Sequence, residues 1–149
     1  MAKAALIFNG IQLSFPVIDR AFGWAKQSTG SLVAIFLKAK SKAKEGYIFP
    51  SDLDLAENLV SNEEAETNNI KVIDSNIRIL EHQASSEHIV LQTQLLTDPT
   101  EEELLDQFTG CERIFIHEDI DQQGILAVDS IDLKKLLKDP PVPTEVIQG

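Results

Sequence analysis

The stretch SLVAIFLK, residues 31–38, constrains the fold more than any other part of the chain. Its apolar side chains follow one another without alternation, so both faces of the segment need cover. A strand with one wet face alternates apolar and polar residues. A strand apolar throughout is the habit of parallel sheets with helices on each side. Ala4 to Phe8 is a second such run, ending in the turn pair Asn9-Gly10. Ile89 to Leu96, Arg113 to His117 and Thr144 to Ile147 read as further strands.

The segments between these runs carry helical signals. Ser14 caps a helix just ahead of Pro16, because proline lacks the N–H that a first helical turn leaves unpaired. Val17, Ile18, Ala21, Phe22 and Ala25 then share one face, and Gly30 supplies the stop. Trp24 lies one residue outside that face, as rim packing or as part of a contact surface. Residues 52–88 are mainly helical, with Ile70, Ile73, Ile77, Leu80 and Ala84 as a stripe. The acidic part, Asp52 to Glu66, reads as a separate short helix or partly as loop. Asp98 is the expected N-cap of a third helix, with Pro99 in its first position, Glu101 closing a capping box, and Leu104, Leu105 and Phe108 inward before Gly110. Ser130 is the expected cap of a last helix that buries Leu133, Leu136 and Leu137 and breaks at Asp139-Pro140-Pro141.

Strands alternating with helices predict one α/β domain over residues 1–149, a three-layer, Rossmann-like sandwich around a five-stranded, mostly parallel sheet. A formal charge of −11 argues against nucleic acid and anionic membrane as partners, since both require positive surface. No apolar run reaches the length of a membrane span, and the start MAKAALIFNG lacks the features of a signal peptide. The single cysteine, Cys111, excludes an intrachain disulfide and reads as a small buried residue, with a redox-sensing thiol as the alternative. These features together predict a cytoplasmic protein. Lys38, Lys40, Lys42 and Lys44 read as a solvated run facing the acidic remainder, with a docking site for an anionic group as the alternative.

Several local motifs resemble the universal stress protein family. ALIFNGIQLSFPVIDRAFGWA is similar to that family's first strand, turn and first helix, with Gly10, Ser14 and Ala21 in matching places. Thr97-Asp98-Pro99 is similar to the Gly-Asp-Pro that introduces its third helix, and LKKLLKDPPVPTEVI resembles its last helix, proline turn and terminal strand. The resemblance implies an adenine nucleotide alpha hydrolase-like fold, a stress-related role and a homodimer through the C-terminal strand, here Val142, Thr144, Glu145, Val146 and Ile147. Prolines at 140, 141 and 143 suit an edge or exchanged strand.

The departures concern ATP. Members that bind it carry G-x-x-G-x9-G-S/T after the fourth strand and usually an aspartate at the end of the first. Here Asn9 takes the aspartate position. The glycine positions fall on Ile116 or His117, on Asp119 or Ile120, and on Asp129 or Ser130. A phosphate cradle needs glycine for close backbone approach, and Glu118, Asp119 and Asp121 repel phosphate instead. No cofactor is therefore expected, and ATP binding in the usual family manner is not.

Other chemistry at this loop is weakly specified. Asp119-Ile120-Asp121-Gln122-Gln123-Gly124 partly matches the opening of an EF-hand, making Asp119, Asp121 and Gln123 candidate ligands for Ca²⁺ or Mg²⁺. Ser130 stands where a bidentate glutamate belongs, and a solvated loop is the preferred reading. His117 and Glu118, adjacent at a strand end, are expected on opposite faces and so not as a catalytic pair. His82 and His88 lack a metal-ligand spacing, and no nucleophile turn, zinc helix or Walker loop occurs, so no enzyme is expected. The expected function is a non-catalytic stress-response or interaction protein, with an unidentified protein partner. The alternative is a small-ligand or nucleotide sensor using the cleft at the carboxyl ends of the strands, lined by Asn9, Gly10, His117, Glu118, Asp119 and Ser130.

Overall fold

β1 (Lys3–Asn9) is the central strand of a five-stranded sheet, flanked by β2 (Ser31–Lys38) and β4 (Arg113–His117). β3 (Leu91–Thr97) and β5 (Thr144–Ile147) form the two edges, giving the order β3-β2-β1-β4-β5 with every pair parallel. The computed structural model describes residues 2–11, 13–39, 53–121, 127, 128, 131–138 and 143–148, and the side chains of 53–69 and 138 lie outside that description. The calls on Lys40, Lys42, Lys44, Gln123, Ser130 and Val142 also lie outside the described residues.

The continuous apolar runs behave as their composition requires. Ala5 and Ile7 of β1 share one face with Val33, Ile35 and Leu37 of β2, against α3 (Glu101–Asp106) and α4 (Leu133–Lys138) through Leu104, Phe108, Leu133 and Leu137. Ala4, Leu6 and Phe8 share the opposite face with Leu32, Ala34 and Phe36, against α1 (Phe15–Ser28) and α2 (Leu53–Ser86). Right-handed crossovers explain this division. The chain steps one way along the sheet from β1 to β3 and the other way from β3 to β5, so its first two helices and its last two land on opposite faces.

α1 starts as its sequence dictates: Ser14 Oγ accepts from the Val17 N–H, and Pro16 occupies the first turn. Its stop differs from expectation. Thr29, at φ 49°, takes the left-handed conformation. Gly30 is needed for space, because a Cβ there would lie 2.9 Å from both the Ala2 carbonyl oxygen and the Trp24 ring. Trp24 is rim packing, set edge-on to Phe115 with ring centroids 6.4 Å apart.

α2 is one helix of 34 residues that includes the acidic segment from Leu53, so no separate short helix precedes the stripe. Ile73, Leu80 and Ala84 are buried as that stripe requires. β3 begins two residues later than expected, leaving Val90 exposed ahead of it.

The cap of α3 also moves. Thr100 has the extended backbone of an N-cap, and its Oγ1 accepts from the Glu103 N–H at 3.1 Å. Asp98 sits at φ 42° with its N–H donated to the Lys38 carbonyl, a conformation incompatible with capping. Leu105, expected inside, is 37% exposed because the six-residue helix buries only Leu104.

Candidate functional site

At the carboxyl ends of β1 and β4 the chain leaves toward different faces, α1 on one and α4 on the other. That divergence opens a crevice, the usual ligand position in open α/β sheets. A cavity of about 400 Å³ lies there, within the roughly 300–1,000 Å³ of small-molecule sites. Ile7 contributes from β1, Leu13, Phe15 and Pro16 from the entry to α1, and Ile120 from the turn after β4. Asn9, Ser14 and His117 are its polar residues.

Asn9 is the buried polar residue among those described, at 7% exposure. Its Nδ2 donates to the Ile120 and Val128 carbonyls at 3.0 and 3.1 Å, and its Oδ1 accepts from the Val128 N–H at 2.7 Å. Three backbone groups of the segment after β4 are thus satisfied by one side chain. An aspartate could accept from Val128 but could not donate to either carbonyl. The asparagine is required by this clamp. Gly10, at φ 71°, turns the chain and donates its N–H to the Leu37 carbonyl at 2.7 Å, so that N–H is already engaged.

His117 ends β4, and its Nδ1 accepts from the Asp119 N–H at 3.1 Å, which places the proton of the neutral ring on Nε2. Polar atoms of His117, Glu118 and Asp119 all lie within 4.8 Å of one another. The sequence-based expectation of opposite faces for His117 and Glu118 therefore fails, because strand alternation ends at His117 and the backbone turns through Ile120, whose N–H returns to the His117 carbonyl. A cation near this trio would meet one ring nitrogen from His117 and carboxylate oxygens from Glu118 and Asp119, fewer oxygens than the roughly six to eight that Ca²⁺ takes.

Asp121, the second expected cation ligand, is committed to α4. Its Oδ1 accepts from the Leu133 N–H at 2.7 Å and its Oδ2 from the Lys134 N–H at 2.9 Å. It sits outside the 4.8 Å cluster. Of the expected cleft residues, Asn9 and His117 line the cavity, whereas Gly10, Glu118 and Asp119 are not among its lining residues. Leu13, Phe15, Pro16 and Ile120 were missed. A signal existed for Phe15, an aromatic residue off the apolar stripe of α1.

Elsewhere, Thr144 and Val146 belong to β5, the open edge beyond β4, and Val146 is 51% exposed. Glu145 ties this strand to α1, its Oε1 accepting from Arg20 Nε at 2.7 Å, while Arg113 Nη1 lies 3.8 Å from its Oε2. A second cavity of about 240 Å³ adjoins these three residues and Trp24. Cys111 is buried, and burial pushes its thiol pKa up against a weaker opposing pull from Lys3. That environment holds the thiol protonated, the opposite of what a redox sensor needs. No helix among the described residues is long and apolar enough to cross a membrane.

The fold is that of universal stress proteins. A universal stress protein family structure from Burkholderia pseudomallei superposes at a TM-score of 0.54 with 14% identity, over 98% of this chain and 95% of the other. An Arabidopsis thaliana family protein with AMP bound gives 0.55 with 9% identity, over 99% and 92%. A universal stress protein in complex with cAMP gives 0.57 with 10% identity, over 98% and 96%. No protein-family model and no curated protein sequence matches the chain.

Proposed function

We propose that the chain is a non-catalytic, universal stress protein-like interaction protein of the cytoplasm, acting in stress response without ATP held in the usual family manner. The observation that carries this reading is the clamp of Asn9 on Ile120 and Val128. Two structural neighbours hold AMP and cAMP. In this chain the Asn9 amide at the end of β1 is engaged with its own backbone. Glu118 and Asp119 add negative charge where a phosphate would have to approach. One like-charge contact at 4 Å costs about 1 kcal/mol in water and about 4 at an effective dielectric near 20. Two such contacts offset much of a micromolar affinity, about −8 kcal/mol.

A homodimer through β5 completes the proposal, supported by the open edge and the exposed Val146. The cavity supports a second reading, a sensor for a small molecule other than ATP.

Thermal denaturation with ATP, with ATP and Mg²⁺, and with Ca²⁺ alone tests the main reading. A ligand at a hundredfold excess over its Kd adds about 2.7 kcal/mol of stability. No shift with ATP in either form is expected, and a saturable shift overturns the proposal. A shift with Ca²⁺ alone that Glu118→Gln and Asp119→Asn abolish assigns a cation to the His117–Asp119 turn.

A further inference from the structure

We infer that the cavity between β1 and β4 takes a small molecule with an apolar body and a cationic amine head, the head lying against the carboxylates of Glu118 and Asp119. The inference rests on the reading of this cavity as a ligand site and assigns the class of ligand.

The body is set by the walls. Leu13, Phe15 and Ile120 make them largely apolar, and Phe15 is 56% exposed at the entry to α1, an aromatic surface left open to a partner. The polar atoms within reach of those walls are mostly spoken for. Asn9 is engaged with Ile120 and Val128, and Ser14 Oγ accepts from the Val17 N–H. A ligand thus gains little by presenting polar groups deep in the site.

The charge is set at the edge. Among the described residues that line the cavity there is no lysine or arginine, so no described wall residue neutralises an anionic ligand. His117 belongs both to the lining and to the group of polar atoms within 4.8 Å that includes a carboxylate oxygen from Glu118 and one from Asp119. A head group beside His117 is therefore within the span of both carboxylates. The net charge of −11 adds a long-range field of the same sign.

Three ligands of nearly equal shape separate body from charge: 2-phenylethylamine as its ammonium ion, 2-phenylethanol and phenylacetate. Each is titrated into the full chain at low salt, following backbone amides by heteronuclear NMR. The ammonium ion is expected to bind about tenfold tighter than the alcohol, and phenylacetate more weakly than either. Shifts should centre on Leu13, Phe15, His117 and Ile120. The double substitution Glu118→Gln and Asp119→Asn should bring the amine down to the affinity of the alcohol and leave the alcohol unchanged. Phe15→Ala, at an exposed side chain, should weaken amine and alcohol alike. Equal binding of amine and alcohol, or tighter binding of phenylacetate, overturns the assignment of charge and leaves the cavity as a ligand site. Absence of saturable shifts with all three overturns both.

Discussion

The side chain of Asn9 grips Val128 in both directions. Its Oδ1 accepts from the Val128 N–H at 2.7 Å while its Nδ2 donates to the Val128 carbonyl at 3.1 Å. The same Nδ2 also reaches Ile120, so the end of the central strand holds the segment after β4 at two points. Only a side chain with both donor and acceptor capacity can do this.

Asn9→Asp should therefore destabilise the protein by about 2–4 kcal/mol at neutral pH, since a buried carboxylate would face two carbonyl oxygens that lose their donors. Asn9→Ala should cost about 1–3 kcal/mol, the scale of leaving buried backbone groups unpaired. Urea denaturation measures both. A loss for Asn9→Asp no larger than experimental error would show that the clamp contributes nothing.

Asp121 acts on α4 from outside the helix, accepting from the first two helical N–H groups. Asp121→Ala should cost about 1 kcal/mol, as loss of a helix cap does. Faster hydrogen exchange should appear at Leu133 and Lys134, with Leu6 in the sheet centre little changed. Unaltered exchange at those two amides rules out the cap.

Burial raises the thiol pKa of Cys111. The folded state therefore holds its proton more tightly than the unfolded chain does. This contribution is fully present below the unfolded thiol pKa and is lost as the pH rises through the folded value. Stability of the wild type should fall more steeply across that alkaline window than stability of Cys111→Ala, and Ellman's reagent should react slowly with the native protein at pH 7. Parallel pH profiles for the two proteins refute the assignment.

Val146 is half exposed on the edge strand proposed to form the dimer. Val146→Lys places a charge on that edge, a common device against strand pairing. The wild type should sediment as a dimer and the variant as a monomer with an unchanged circular dichroism spectrum. A monomeric wild type removes the dimer proposal altogether.

Most of the sheet is legible in the sequence because β1, β2 and β4 are apolar on both faces. The signal is local, so the bounds of β2, β4 and β5 coincide with the expected ones. Caps and clamps were less legible. Asp98 and Thr100 are both competent N-caps by composition, and the choice falls to Thr100 because the Asp98 N–H is drawn to Lys38 in another strand. Asp121 looks like a cation ligand until α4, twelve residues on, supplies its partners. Asn9, expected at the cleft, lines the cavity. What it does there depends on Ile120 and Val128, 111 and 119 residues away, which no spacing rule connects to it.

Trp24 has a practical value that follows from its placement. It is the one tryptophan in the chain, so the indole fluorescence comes from a single known position. The ring bears on Phe115 in β4 and adjoins the small cavity beside Arg20 and Glu145, on the side that anchors the edge strand. Detachment of α1 or release of β5 would change its surroundings, whereas a ligand entering between Phe15 and Ile120 would not touch it. The protein thus carries an intrinsic optical gauge of its edge, separate from the site where a ligand would be sought.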